Sequence, residues 1–190
     1  FALSISGGAA TIGSATPTSI SKTSQSVWVL GFSTSGIANG DEDISVVPID
    51  DSIYDGNGNE AATSQSNNTA TFNEKVLPTL TTVGIASDNA NTDGPWATTG
   101  DTITLTFVSD EIIADPADDA TNLVVTFKSG GVAVNASRVS YTNVTGDKIN
   151  WTAQYDAASG DTEGNVTFSV AFKDVSGNVG TAETAVTDSS

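Results

Sequence analysis

Nearly every side chain in this sequence that could do chemistry is an oxygen donor. The 190 residues include 23 Asp and Glu but no His, Cys or Met. Without imidazole or thiolate there is no Ser-His-Asp triad, no Cys nucleophile and no usual zinc site. Two carboxylates can still act as acid and base in a glycosidase-like site, so enzymes are disfavoured rather than excluded, and a non-enzymatic chain is expected. Loop carboxylates are better suited to calcium, which accepts many oxygens in irregular geometry. The candidate ligands are Asp41, Asp43, Glu74, Asp110 and Asp174. None of these segments has EF-hand spacing. Asp55, Asn57 and Asn59, and likewise Asp174 and Asn178, have a simpler reading as turn formers.

The aromatic residues offer a second chemistry. Trp96, in the loop Asn91-Thr92-Asp93-Gly94-Pro95-Trp96, is either a carbohydrate platform beside Asp93 or a plug over one end of the fold. Trp28 and Trp151 occupy equivalent strand positions, and both are expected in a core. Asn-x-Ser/Thr sequons begin at Asn67, Asn135, Asn143, Asn150 and Asn165; Asn135 and Asn143 lie near turns and are the accessible glycosylation candidates.

The formal net charge of −17, against cations at Lys22, Lys75, Lys128, Arg138, Lys148 and Lys173, repels nucleic acid and anionic membranes. No run is long and apolar enough for a membrane-spanning helix. The same excess invites divalent cations, or serves solubility in a salty medium. The chain opens on Phe1 with neither Met nor a signal peptide, the expectation for a mature product or a fragment.

Short alternating strands must position these groups. Thr102-Ile103-Thr104-Leu105-Thr106-Phe107 and Val166-Thr167-Phe168-Ser169-Val170-Ala171-Phe172 alternate polar with apolar, the signature of half-buried antiparallel strands. The spacing predicts strands at 79–86, 102–108, 123–128, 138–142, 149–155, 165–173 and 181–187, enough for one β-sandwich. No segment of useful length has a helical period.

The chain also repeats itself. Gly7-Gly8 matches Gly130-Gly131, and Trp28 and Trp151 follow their glycine pairs at the same offset. Gly40-Asp41-Glu42-Asp43 matches Gly160-Asp161-Thr162-Glu163, and Asp55-Gly56-Asn57-Gly58-Asn59 matches Asp174-Val175-Ser176-Gly177-Asn178. Phe1 aligns near Val124, so counterparts of residues 77–123 are missing from the first copy. The expectation is a partial sandwich over 1–76, lacking its first two strands, and a complete one over 77–190. Either the chain is cut from a longer one, or a neighbouring chain supplies strands by β-augmentation.

The phrases Leu80-Thr81-Thr82-Val83-Gly84-Ile85-Ala86-Ser87-Asp88, Gly100-Asp101-Thr102-Ile103-Thr104-Leu105 and Gly160-Asp161-Thr162-Glu163-Gly164-Asn165-Val166 resemble the immunoglobulin-like repeats of large bacterial and archaeal surface proteins. The resemblance covers 77–190, and 1–76 resembles the latter part of a sister repeat. It implies an all-β fold of tandem immunoglobulin-like antiparallel sandwiches and an extracellular, cell-surface location. The implied function is a structural or adhesive module, an adhesin stalk segment or filament subunit; the acidic loops add the expectation of calcium stiffening the junction between domains. Its partners would be neighbouring copies or adjacent repeats, joined by strand addition, and cell-surface glycans. The alternative is a carbohydrate-binding module of a secreted protein, using Trp96 and Asp93. The resemblance carries over no catalytic residue.

Overall fold

Most strands form where apolar and polar residues alternate, and among the described residues every strand pairing is antiparallel. The computed structural model describes residues 1–91 and 93–187. The chain divides into two units, Phe1–Val76 and Leu77–Ser190.

In the first unit the strands are β1 (Ala2–Ser6), β2 (Thr11–Ile12), β3 (Ser19–Lys22), β4 (Trp28–Gly31), β5 (Thr34–Ser35), β6 (Asp43–Val47) and β7 (Thr69–Thr71). A three-stranded sheet runs β1-β6-β7, with separate pairs β2-β5 and β3-β4. The register of β1 on β6 runs from Ala2 opposite Val47 to Ser6 opposite Asp43. The buried apolar side chains here are Leu3, Ala10, Ile44 and Pro48. That is little apolar burial for a unit this long.

The second unit contains β8 (Leu80–Ser87), β9 (Thr102–Ser109), β10 (Leu123–Ser129), β11 (Val132–Ala133), β12 (Ser140–Asn143), β13 (Asn150–Asp156) and β14 (Val166–Phe172). One sheet runs β12-β13-β9-β8 and the other β11-β10-β14. Alternation turns Ile103, Leu105 and Phe107 of β9 and Trp151, Ala153 and Tyr155 of β13 into one core. Leu123, Val125 and Phe127 of β10 and Phe168, Val170 and Phe172 of β14 fill it from the other side. The Phe127 and Tyr155 rings meet across it at 4.8 Å. Two sheets sharing one apolar core make a sandwich-like unit.

Two predicted strands differ in the structure. The stretch 138–142 starts late because Asn135 Oδ1 accepts the Ser137 amide, turning Ala136–Arg138 into a 3₁₀ turn before β12. The stretch 181–187 is not one strand. Glu183 bridges Val170 of β14, whereas the Thr187 amide donates to the Val83 carbonyl of β8 at 2.9 Å. The segment leaves one sheet for the other within a few residues, too quickly to build a ladder on either.

The matched glycines have a shared physical cause. Gly7 follows β1 at φ +75° and Gly130 follows β10 at φ +54°. A Cβ would fall 2.1 Å from the Asp41 carbonyl oxygen at Gly7 and 2.4 Å from that of Glu163 at Gly130. Each glycine lets a strand end turn against the segment that leads into its partner strand.

Candidate functional site

The most unusual surface is the β3-β4 hairpin. Ile20 lies opposite Leu30 and Lys22 opposite Trp28, with the turn closed by the Thr23 amide and hydroxyl donating to the Val27 carbonyl. Alternation puts Ile20, Trp28 and Leu30 on one face and Val27 and Val29 on the other. Trp28 is 52% exposed and Ile20 54%, with Val27 and Val29 exposed beside them. Lys22 Nζ lies 5.4 Å from the centre of the Trp28 ring.

The core placement expected of Trp28 is therefore corrected, whereas Trp151 is buried as expected. The reason lies in the strand order. In the second unit β13 pairs on one edge with β12 and on the other with β9, where Phe107 lies opposite Trp151. In the first unit, among the described residues, β4 pairs with β3 alone. Because Val27 faces β3, alternation directs the backbone N–H and C=O groups of Trp28 and Leu30 to the open edge. Exposed apolar side chains and an unpaired strand edge thus occur together.

Below the hairpin the fold is fastened by a carboxylate. Glu42 is fully buried. Its Oε1 accepts the amides of Ala9 at 2.7 Å and Ala10 at 2.8 Å, and its Oε2 those of Asn39 at 3.1 Å and Gly40 at 3.2 Å. These donors, that of Ala10 foremost, hold its carboxyl below the usual glutamate value. Sequence reasoning noted Glu42 within the repeated phrase Gly40-Asp41-Glu42-Asp43 but gave it no role. The available signal was Gly8, where a Cβ would lie 2.1 Å from the Glu42 carboxyl carbon.

The matched Asp-x-x-x-Asn loops are the same clasp twice. Asp55 Oδ1 accepts the Asn59 amide at 2.9 Å while Oδ2 accepts Asn59 Nδ2 at 2.8 Å. Asp174 does the same with Asn178, both at 2.8 Å. The flanking residues bridge in each case, Tyr54 with Glu60 and Lys173 with Val179. The Asn59 side-chain amide is the main reason the Asp55 carboxyl sits below its ordinary value.

The calcium candidates divide between the units: Asp41, Asp43 and Glu74 in the first, Asp110 and Asp174 in the second. Each carboxylate already accepts a local donor. Asn39 Nδ2 donates to Asp41 at 3.1 Å, Thr71 Oγ1 to Asp43 at 2.6 Å, and the Val76 amide to Glu74. Thr79 donates to Asp110 through both its amide and hydroxyl at 2.8 Å, and Asp174 is the buried half of its clasp. The structure gives each a turn- or strand-fixing role.

Trp96 is 60% exposed. Its amide donates to the Gly94 carbonyl at 2.8 Å, while the Asp93 amide donates to Asn91 Oδ1 at 3.0 Å. Thr92, between them, lies outside the described residues. Asn135 is exposed and caps the 3₁₀ turn, whereas Asn143 is half-buried on β12. Comparison with protein-family models, with curated proteins and with solved structures finds no match for this chain.

Proposed function

We propose that this chain is a non-enzymatic structural module of an extracellular fibre or adhesin stalk, whose first unit takes strands from another segment or copy at the open edge of β4. The observation that carries this reading is Trp28. It stands outside, next to an unpaired edge, where its counterpart Trp151 lies in the core on a strand flanked by β12 and β9. Added strands would cover that ring and satisfy the free backbone groups, which is how strand addition combines affinity with register.

The immunoglobulin-like reading draws support from strand order. With β8, β9, β10, β12, β13 and β14 lettered A to F, one sheet reads D-E-B-A and the other contains C-F, with Glu183 bridging the free edge of F. That order is the one a constant-type immunoglobulin sandwich would have, which supports the reading. The first unit's β1, β3, β4, β6 and β7 then correspond to C, D, E, F and G. Absence of His and Cys supports the non-enzymatic reading. Calcium is proposed as the counter-ion of the acidic loops on the strength of the −17 charge. A carbohydrate-binding module has one observation in its favour, the exposed Trp96.

The test is amide hydrogen exchange on the assembled, unfragmented material. The amides of Trp28 and Leu30 are expected to be protected there, and a Leu30→Pro chain to stay unassembled while its second unit melts normally. Fast exchange of both amides in the assembled material, or assembly undisturbed by Leu30→Pro, would overturn the proposal.

A further inference from the structure

The second unit holds a cleft of about 440 Å³, open to solvent, between the 115–120 loop and β12. The size falls within the range of small-ligand pockets. Trp151 and Asn143, directly opposite one another on β13 and β12, form part of its wall. Trp151 is only 2% exposed, yet its indole Nε1–H has no hydrogen-bond partner, and neither does the buried Oδ1 of Asn143. Buried polar atoms in native folds are nearly always paired, so an unmatched donor beside an unmatched acceptor calls for an occupant that supplies both. The rest of the wall is mixed. Ala117 and Ala120 are apolar at the rim, Asp115 is anionic, and the Tyr141 hydroxyl accepts the Val125 amide at 2.9 Å while keeping its own proton to donate.

We infer that this cleft binds a neutral saccharide, whose entry uncovers the Trp151 indole N–H and the Asn143 Oδ1, both closed to solvent in the free fold, so that ring hydroxyls accept from the one and donate to the other. A hydroxyl is the simplest group that accepts and donates at once, and a sugar ring carries several around an apolar body. Tyr141 provides a further donor and the Asp115 carboxylate a further acceptor. Asp115 is paired with Lys148 at 3.5 Å and accepts the Ala117 amide at 2.9 Å, so it is the chain's overall charge of −17 that turns away anionic sugars. The site is distinct from Trp96 and lies entirely within the second unit, so it does not depend on strand addition to the first.

Side-chain ¹H–¹⁵N spectra of the full chain report on it directly, because each of the 3 tryptophans gives its own indole signal. The methyl glycosides of glucose, mannose, galactose and N-acetylglucosamine, added at millimolar concentration, serve as probes. At least one is expected to move the Trp151 indole resonance saturably and leave that of Trp28 in place. Ala120→Phe, at an exposed rim position, should weaken that response about tenfold or more without unfolding the core. The inference is overturned if none of the probes moves the Trp151 signal, if Trp96 alone responds, or if a properly folded Ala120→Phe chain binds as before.

Discussion

Asp161 shows how this chain spends its carboxylates. It accepts both guanidinium nitrogens of Arg138, at 2.6 and 2.9 Å, and the Arg138 side chain also stacks over Tyr155. The Arg138 guanidinium holds the Asp161 carboxyl down at about 2. Glu42, Asp55, Asp101, Asp119 and Asp147 are lowered as well, each by local hydrogen bonds. Groups lowered on folding contribute stability above their unfolded values, and lose it as pH falls through the folded ones. Thermal stability should therefore stay level down to about pH 4 and decline from there towards pH 2. Asp161→Asn should flatten part of that decline in the second unit. A melting temperature that falls steadily from neutral pH would contradict this assignment. Residue type was legible in the sequence at these positions, but partnership was not. Nothing in Gly40-Asp41-Glu42-Asp43 marks the middle carboxylate as the one that turns inward to amides more than thirty residues away.

Strands of the second unit could be read almost directly, because β9, β10, β13 and β14 bury alternate residues and period-2 patterning has one physical meaning. What escaped reading depends on pairing. Trp28 has the local sequence of a core residue, and only the absence of a strand beside β4 leaves it outside. The two clasps were visible as repeated spelling, and the structure shows them as one geometry. Gly58 at φ +86° and Gly177 at φ +90° occupy equivalent positions, and neither has any atom within 4 Å of a would-be Cβ. Substituting Ala at either therefore meets no clash and pays mainly for the left-handed backbone, about 1 kcal/mol. Chemical denaturation of Gly58→Ala and Gly177→Ala should show similar losses, each confined to its own unit. A large loss at one and none at the other would mean that the clasps are not equivalent.

At the scale of the whole molecule, charge governs association. Copies carrying −17 repel one another, so any strand addition between them has to be helped by screening or by bound cations. Raising sodium chloride should promote assembly through screening alone. If calcium is the counter-ion of the acidic loops, calcium chloride at matched ionic strength should promote it further and raise the melting temperature. Equal effects of the two salts, followed by light scattering and calorimetry, would reduce calcium to generic screening.

The Glu42 carboxylate has one more consequence. By joining Ala9 and Ala10 to Asn39 and Gly40, it ties the neck of an excursion that contains the whole β3-β4 hairpin. The β2-β5 pair closes the same neck from just inside. Beyond this neck the excursion meets the sheet region where the Leu3 amide donates to the Ala15 carbonyl at 2.7 Å and where Phe32 stacks on Phe72, so opening of the hairpin tip need not open the sheet. The hairpin could be reordered, threaded by a foreign strand or nicked by a protease between 23 and 27, and the β1-β6-β7 sheet would keep its register. A protease cut there should leave two fragments that migrate together, because the β1-β6 and β2-β5 pairings and the Glu42 carboxylate all join them. The first unit is in effect a sheet that keeps its register around an insert that can be cut.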